Sequence, residues 1–175
     1  MNRQKNKKAA VVMGSDSDFK IMKPCVITLK KFGIEYEARI ISAHRTPYEA
    51  ENFAKNAEEN GFGVIIAAAG KAAHLAGVLA AYTTLPVIGV PVKSSALEGL
   101  DSLLSMVQMP AGVPVATVAI DGAVNAALLA AQILALGDAG LCVKLKEYKS
   151  DLAEGIKQKD AGLREKLEDL LKEDL

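Results

Sequence analysis

The 175-residue chain has no tryptophan, four tyrosines and four phenylalanines, an aromatic fraction of 5%. Surfaces that stack nucleic-acid bases need aromatic platforms, so that class of function is disfavoured. An excess of one charge is missing too: 21 Lys and Arg balance 21 Asp and Glu. The balance speaks against nucleic acid or an anionic membrane as the main partner. Cysteine is scarce. Cys25 and Cys142 lie far apart without metal-ligand spacing, as expected of thiols in a reducing compartment. The two histidines, His44 and His74, stand alone in the sequence, which excludes a His-rich metal site. No apolar run reaches the roughly 20 residues that span a bilayer. Residues 1–8 form a basic arm (Arg3, Lys5, Lys7, Lys8) that leads into an apolar run with no leader-cleavage pattern, and a cytoplasmic protein is expected.

What is present is apolar. Half the residues are hydrophobic and 24% are charged, the make-up of one globular domain with a full core. Strand-like and helix-like segments alternate. Strands are expected at 9–13, 36–41, 64–68, 86–90 and 115–120. Residues 16–32 carry helical spacing through Phe19, Met22, Val26, Leu29 and Phe32, and Gly33 supplies the C-terminal stop. Thr46, Pro47 and Glu49 read as N-cap, first turn and capping box of a helix running to about Gly61. Strands apolar on both faces suit a parallel sheet covered on each side. The expected architecture is therefore α/β: a flavodoxin-like, doubly wound, five-stranded parallel sheet in three α/β/α layers, spanning 9–138.

Two segments exceed the needs of one subunit. Residues 122–136 are apolar nearly all round, and residues 139–175 form a charged tail with leucines at helical steps, weakened at Gly155 and Gly162. A homo-oligomer built on both is expected, with the tail laid on a neighbouring subunit; packing on its own subunit is the alternative.

In such a fold, ligands gather beyond the carboxyl ends of the strands. Gly14-Ser15-Asp16-Ser17-Asp18 follows the first strand. It offers an anion site at a helix N-terminus and a carboxylate for a sugar diol, although Ser15 or Asp16 also serves as a plain cap. Ser42-Ala43-His44-Arg45-Thr46-Pro47 follows the second. Arg45 can grip a phosphate through its fork, and His44 can exchange protons near neutrality. Gly70-Lys71-Ala72-Ala73-His74-Leu75 follows the third, and it lacks the spacing of a phosphate-binding P-loop. After the fourth, residues 90–110 are too apolar for a solvated loop and suit a pocket wall or a subunit contact.

Six segments taken together resemble the PurE family of purine-biosynthesis enzymes: 13–18, 42–47, 72–77, 89–92, 101–110 and 125–130. The resemblance covers about 9–137 and implies conversion of N5-carboxyaminoimidazole ribonucleotide to the 4-carboxy isomer. It implies no cofactor and no metal, a small-molecule ribonucleotide as partner, and a homo-octamer. By the same resemblance the N-carboxylate leaves as CO2, the ring carbon recaptures it, and His44 moves the proton. Ser15, Asp18, Ser42 and Arg45 are then substrate-binding, and Gly70, Lys71, Ala72, Ala73, His74 and Leu75 complete the pocket. Lys71 stands where the family has glycine and Ala76 where it has proline, and Asp121 precedes a shortened Gly122 region. Position 71 is expected to need a positive φ, which disfavours lysine. Two other functions remain in view: a carboxylase taking free CO2, against which Arg45-Thr46-Pro47 and Ala72-Ala73-His74 speak, and a nucleotide-binding oligomer without catalysis.

Overall fold

The computed structural model describes residues 7–173, so Arg3 and Lys5 of the basic arm lie outside the described residues, as does the side chain of Leu171 in the tail. Five strands, β1 (Lys8–Met13), β2 (Tyr36–Ile40), β3 (Phe62–Gly70), β4 (Val87–Val92) and β5 (Ala116–Thr117), lie in the order β2-β1-β3-β4-β5. Every neighbouring pair is parallel. This is the flavodoxin-like order expected from the sequence.

Side-chain alternation along the strands builds the two cores. Ala9, Val11 and Met13 of β1, with Val64, Ile66 and Ala68 of β3, face α1 (Phe19–Phe32) and α5 (Ala123–Ala135). Ala10 and Val12, with Ile65, Ala67 and Ala69, face α2 (Pro47–Asn56) and α3 (Leu75–Tyr82), and Met106 of α4 (Leu100–Val107) closes that layer. Each central strand is buried on both faces, which is why its sequence shows no polar alternation.

Several boundaries differ from the sequence expectation. The helix over 16–32 begins as a short 3-10 turn (Asp16–Asp18), and Phe19 is half exposed. Met22, Cys25, Leu29 and Phe32 form its buried face. Gly33 ends the helix in the left-handed region at φ 75°. Thr46 makes no capping bond. Its hydroxyl instead accepts from Ser42 N–H and donates to Ser42 C=O, both at 3.0 Å, tying the turn before α2 into a ring. That helix stops at Asn56, several residues early, and Gly61 turns the chain at φ 84°. Helices α3 and α4 were not expected: the run of α3 lacks a polar face that would mark a period, and α4 is barely two turns within a stretch taken as one pocket wall or subunit contact. Lys8 belongs to β1 rather than to the arm.

α5 spends its small residues within the subunit. Ala123, Ala126, Ala127, Ala130 and Ala131 are buried in the layer that α1 shares with the sheet. α6 (Ala139–Glu173) follows as one 35-residue helix, unbroken at Gly155 and Gly162. Only its first turns reach the core, through Leu141, Leu145 and Tyr148, whose ring lies 5.5 Å from that of Phe32. Burial pushes the Cys25 thiol up to about 12.

Ser102 on α4 is fully buried and donates to the Val92 carbonyl at 2.8 Å, pinning α4 to the end of β4. Ser102→Ala leaves that carbonyl without its donor. Urea unfolding is expected to show a loss of about 1–2 kcal/mol.

Candidate functional site

The carboxyl ends of β1 to β4 open into a cleft of about 690 Å³. A parallel sheet brings every strand-to-helix loop out on this one edge, so residues far apart in sequence meet there.

After β1, Ser15 caps the 3-10 turn. Its hydroxyl accepts from Ser17 N–H, and its own N–H donates to Asp18 Oδ2 at 3.1 Å, closing a capping box. Cap and cleft wall are thus the same residues. Gly14 is neither in the left-handed region nor crowded, so the turn there does not require glycine. Asp18 is 6% exposed, and burial raises its pKa above the ordinary carboxylate value of 3.8. The hydrogen bonds from Ser15 and Ser17 pull the other way.

After β2, Arg45 is held on three sides. Its backbone N–H and Nε donate to Ser42 Oγ, and Nη2 donates to the Gly14 carbonyl at 3.3 Å. The guanidinium has five N–H donors, so several remain for an anion. This tether locks the β2 loop onto the β1 loop.

The histidines that stand 30 residues apart in sequence meet in space. His44 Nε2 and His74 Nδ1 lie 2.9 Å apart, with the rings nearly perpendicular at 83°. Isolation in the sequence therefore did not mean isolation in the fold. One nitrogen of this contact must offer a lone pair, so both rings cannot be imidazolium while it lasts. Among the described residues, no group of three His, Cys, Asp or Glu side chains could hold a metal ion.

After β3, Lys71 sits at φ 57°, the left-handed conformation anticipated for that position. Of the residues singled out from sequence, Ser15, Asp18, Ser42, His44, Arg45, Gly70, Lys71, Ala72 and Leu75 line the cleft. Ala73 is instead fully buried in the core, and His74 stands beside the cleft, joined to it through His44.

The segment after β4, expected to form a pocket wall or a subunit contact, reaches the cleft through Val92, Lys93, Ser94 and Ser95, whereas Lys20 and Ile21, which also line it, were not singled out from sequence. Ser94 donates to Asp101 at 2.9 Å, and Lys93 pairs with Glu98. The Asp121 carboxylate accepts from Lys93 N–H at 2.9 Å, which gives that unusual residue, at φ 56°, a structural task.

Comparison with known proteins agrees with this arrangement. Residues 8–155 match the family described as AIR carboxylase. An N5-carboxyaminoimidazole ribonucleotide mutase of Pyrococcus horikoshii is 57% identical over 155 residues, 89% of this chain and 88% of that protein. The Thermotoga maritima protein of the same name is 56% identical over 152 residues, 87% of this chain and 89% of its own. A chloroplastic phosphoribosylaminoimidazole carboxylase of Vigna aconitifolia is 52% identical over 154 residues, 88% of this chain but 27% of that longer protein. The crystal structure of Treponema denticola PurE superposes with a TM-score of 0.82 at 32% identity, covering 90% of this chain and 98% of that one. With its sheet, its strand-end cleft and most of its length accounted for, this chain belongs to the AIR carboxylase family.

Proposed function

We propose that this chain is an N5-carboxyaminoimidazole ribonucleotide mutase of purine biosynthesis. The observation that carries the reading is the convergence of His44, Arg45, Ser15 and Asp18 on one cleft, in a chain so similar to proteins of that name.

The substrate has a phosphate, a ribose diol and a carboxylated aminoimidazole. Arg45, already oriented by Ser42 and Gly14, binds the phosphate with its remaining donors beside the Ser15 turn. Asp18 accepts from the ribose hydroxyls. The heterocycle then lies toward His44, Gly70 and Ala72. The exocyclic N–C bond breaks, its electron pair stays on nitrogen, CO2 is released, and His44 delivers a proton to that nitrogen. Ring carbon C4 then attacks the retained CO2 to form the C–C bond and His44 takes the C4 proton, so the proton lost from carbon balances the one gained by nitrogen and His44 ends as it began. Holding CO2 against its acceptor supplies an effective concentration that solution cannot. His74 shares a hydrogen bond with His44 Nε2 and so orients its ring. Lys71 contributes a cation for the migrating carboxylate, at the cost of its left-handed backbone.

The chain acts in the cytoplasm, which suits its free cysteines, and it assembles as a homo-octamer. Among the described residues no helix is long and apolar enough to cross a membrane. An apolar face on and before α4, with Leu97, Leu100, Leu104 and Val107 about half exposed, supports assembly.

Steady-state assay with synthetic N5-carboxyaminoimidazole ribonucleotide tests the reading. His44→Asn is expected to lower kcat by about a hundred- to ten-thousandfold with its sedimentation unchanged. Normal turnover in that variant removes His44 from the chemistry. Efficient product formation from aminoimidazole ribonucleotide and dilute bicarbonate would instead favour a carboxylase.

Asp18 separates stability from binding. Its raised pKa means that the folded chain holds this proton more tightly than the unfolded chain, so Asp18 costs stability as pH climbs from 3.8 through the folded value. Asp18→Asn is therefore expected to raise Tm at neutral pH while raising KM.

Lys71→Gly relieves the backbone and removes the cation. The expected result is a gain of about 1 kcal/mol in stability with a fall of about tenfold in kcat/KM, read by thermal unfolding and kinetics. A rise in kcat/KM would mark Lys71 as an impediment.

A further inference from the structure

The apolar stripe of α6 outruns the subunit it starts on. Leu141 is buried and Leu145 and Tyr148 are half-buried against the core, but the same stripe continues as Leu152, Ile156, Leu163, Leu167 and Leu170, each at least 50% exposed. The spacing is regular. Leu141, Leu152 and Leu163 are 11 residues apart, as are Leu145, Ile156 and Leu167. The third row, Tyr148 to Leu170, is broken once, by Lys159. Eleven residues make close to three helical turns, so the stripe stays on one side along the whole helix. A straight, exposed apolar strip of this length is a contact surface.

What covers it can be argued from position and charge. The family match ends at residue 155, so Ile156, Leu163, Leu167 and Leu170 lie past it. An antiparallel copy that sets Ile156 against Leu170 also brings Lys157 opposite Asp169 and Asp160 opposite Lys166, whereas a parallel copy in register opposes each charge to itself. An antiparallel contact also uses the same patch on both partners, so it closes as a pair rather than propagating.

We propose that residues 152–170 form an antiparallel helix pair with the same segment of a second copy, Ile156 facing Leu170 and Leu163 meeting its counterpart on the twofold axis. The inference concerns assembly alone and stands whether or not the chain isomerises a carboxylated nucleotide. The test is disulfide trapping under mild oxidation by diamide, in a chain with Cys142→Ser, using Ile156→Cys, Leu170→Cys and the double variant. Within one helix the two positions are about 21 Å apart, too far to join. The double variant is expected to give a cross-linked dimer, each single variant none, and addition of Leu163→Glu to abolish the band. A double variant that stays monomeric on a denaturing gel overturns the proposal. So does a dimer from either single variant, or one that survives Leu163→Glu. Turnover measured on the Leu163→Glu protein keeps this outcome separate from the catalytic reading.

Discussion

Parallel pairing governs this molecule. A chain that must re-enter the sheet from the same edge each time has to leave it from the opposite edge each time. The loops after β1, β2, β3 and β4 consequently share one rim, whatever their separation in sequence. Two buried layers of aliphatic side chains hold that sheet rigid, and the polar residues of the rim add little to the core. Such a division lets the loops be chosen for chemistry while the strands are chosen for packing.

The rim is nonetheless not a set of independent loops. Arg45 reaches across to the Gly14 carbonyl, His44 reaches across to His74, and Asp121 reaches back to Lys93. Each contact ties the end of one strand to another, so groups that must act together are positioned by bonds between loops as well as by the sheet. Three non-glycine residues in the left-handed region, Lys71, Glu98 and Asp121, all lie in the segments that follow β3, β4 and β5. Strain of this kind persists where neighbouring structure determines the backbone more strongly than the residue does.

Much of this was legible in the sequence because it rests on local signals. Gly33 marks a helix end, Pro47 a helix start, and the apolar runs mark buried strands, each by a mechanism that acts within a few residues. Helix α3 escaped because an apolar helix carries no polar face to reveal its period, and α4 because it spans barely two turns and turns Leu100, Leu104 and Val107 outward rather than into the core. The misread cap at Thr46 has a different cause: Ser42 offers both a donor and an acceptor nearer than the helix amides. The His44–His74 contact is a long-range fact, fixed by how β2 and β3 flank β1, and no spacing rule reaches it.

Cys25 illustrates what deep packing does to reactivity. Burial pushes its thiol well above the ordinary range, so the thiolate is scarce there at neutral pH. Oxidants and electrophiles attack thiolates, and the sulfur between α1 and the sheet is therefore chemically silent, a small hydrophobe in all but name. The packing between α1 and the sheet is thus insulated from redox stress at that point.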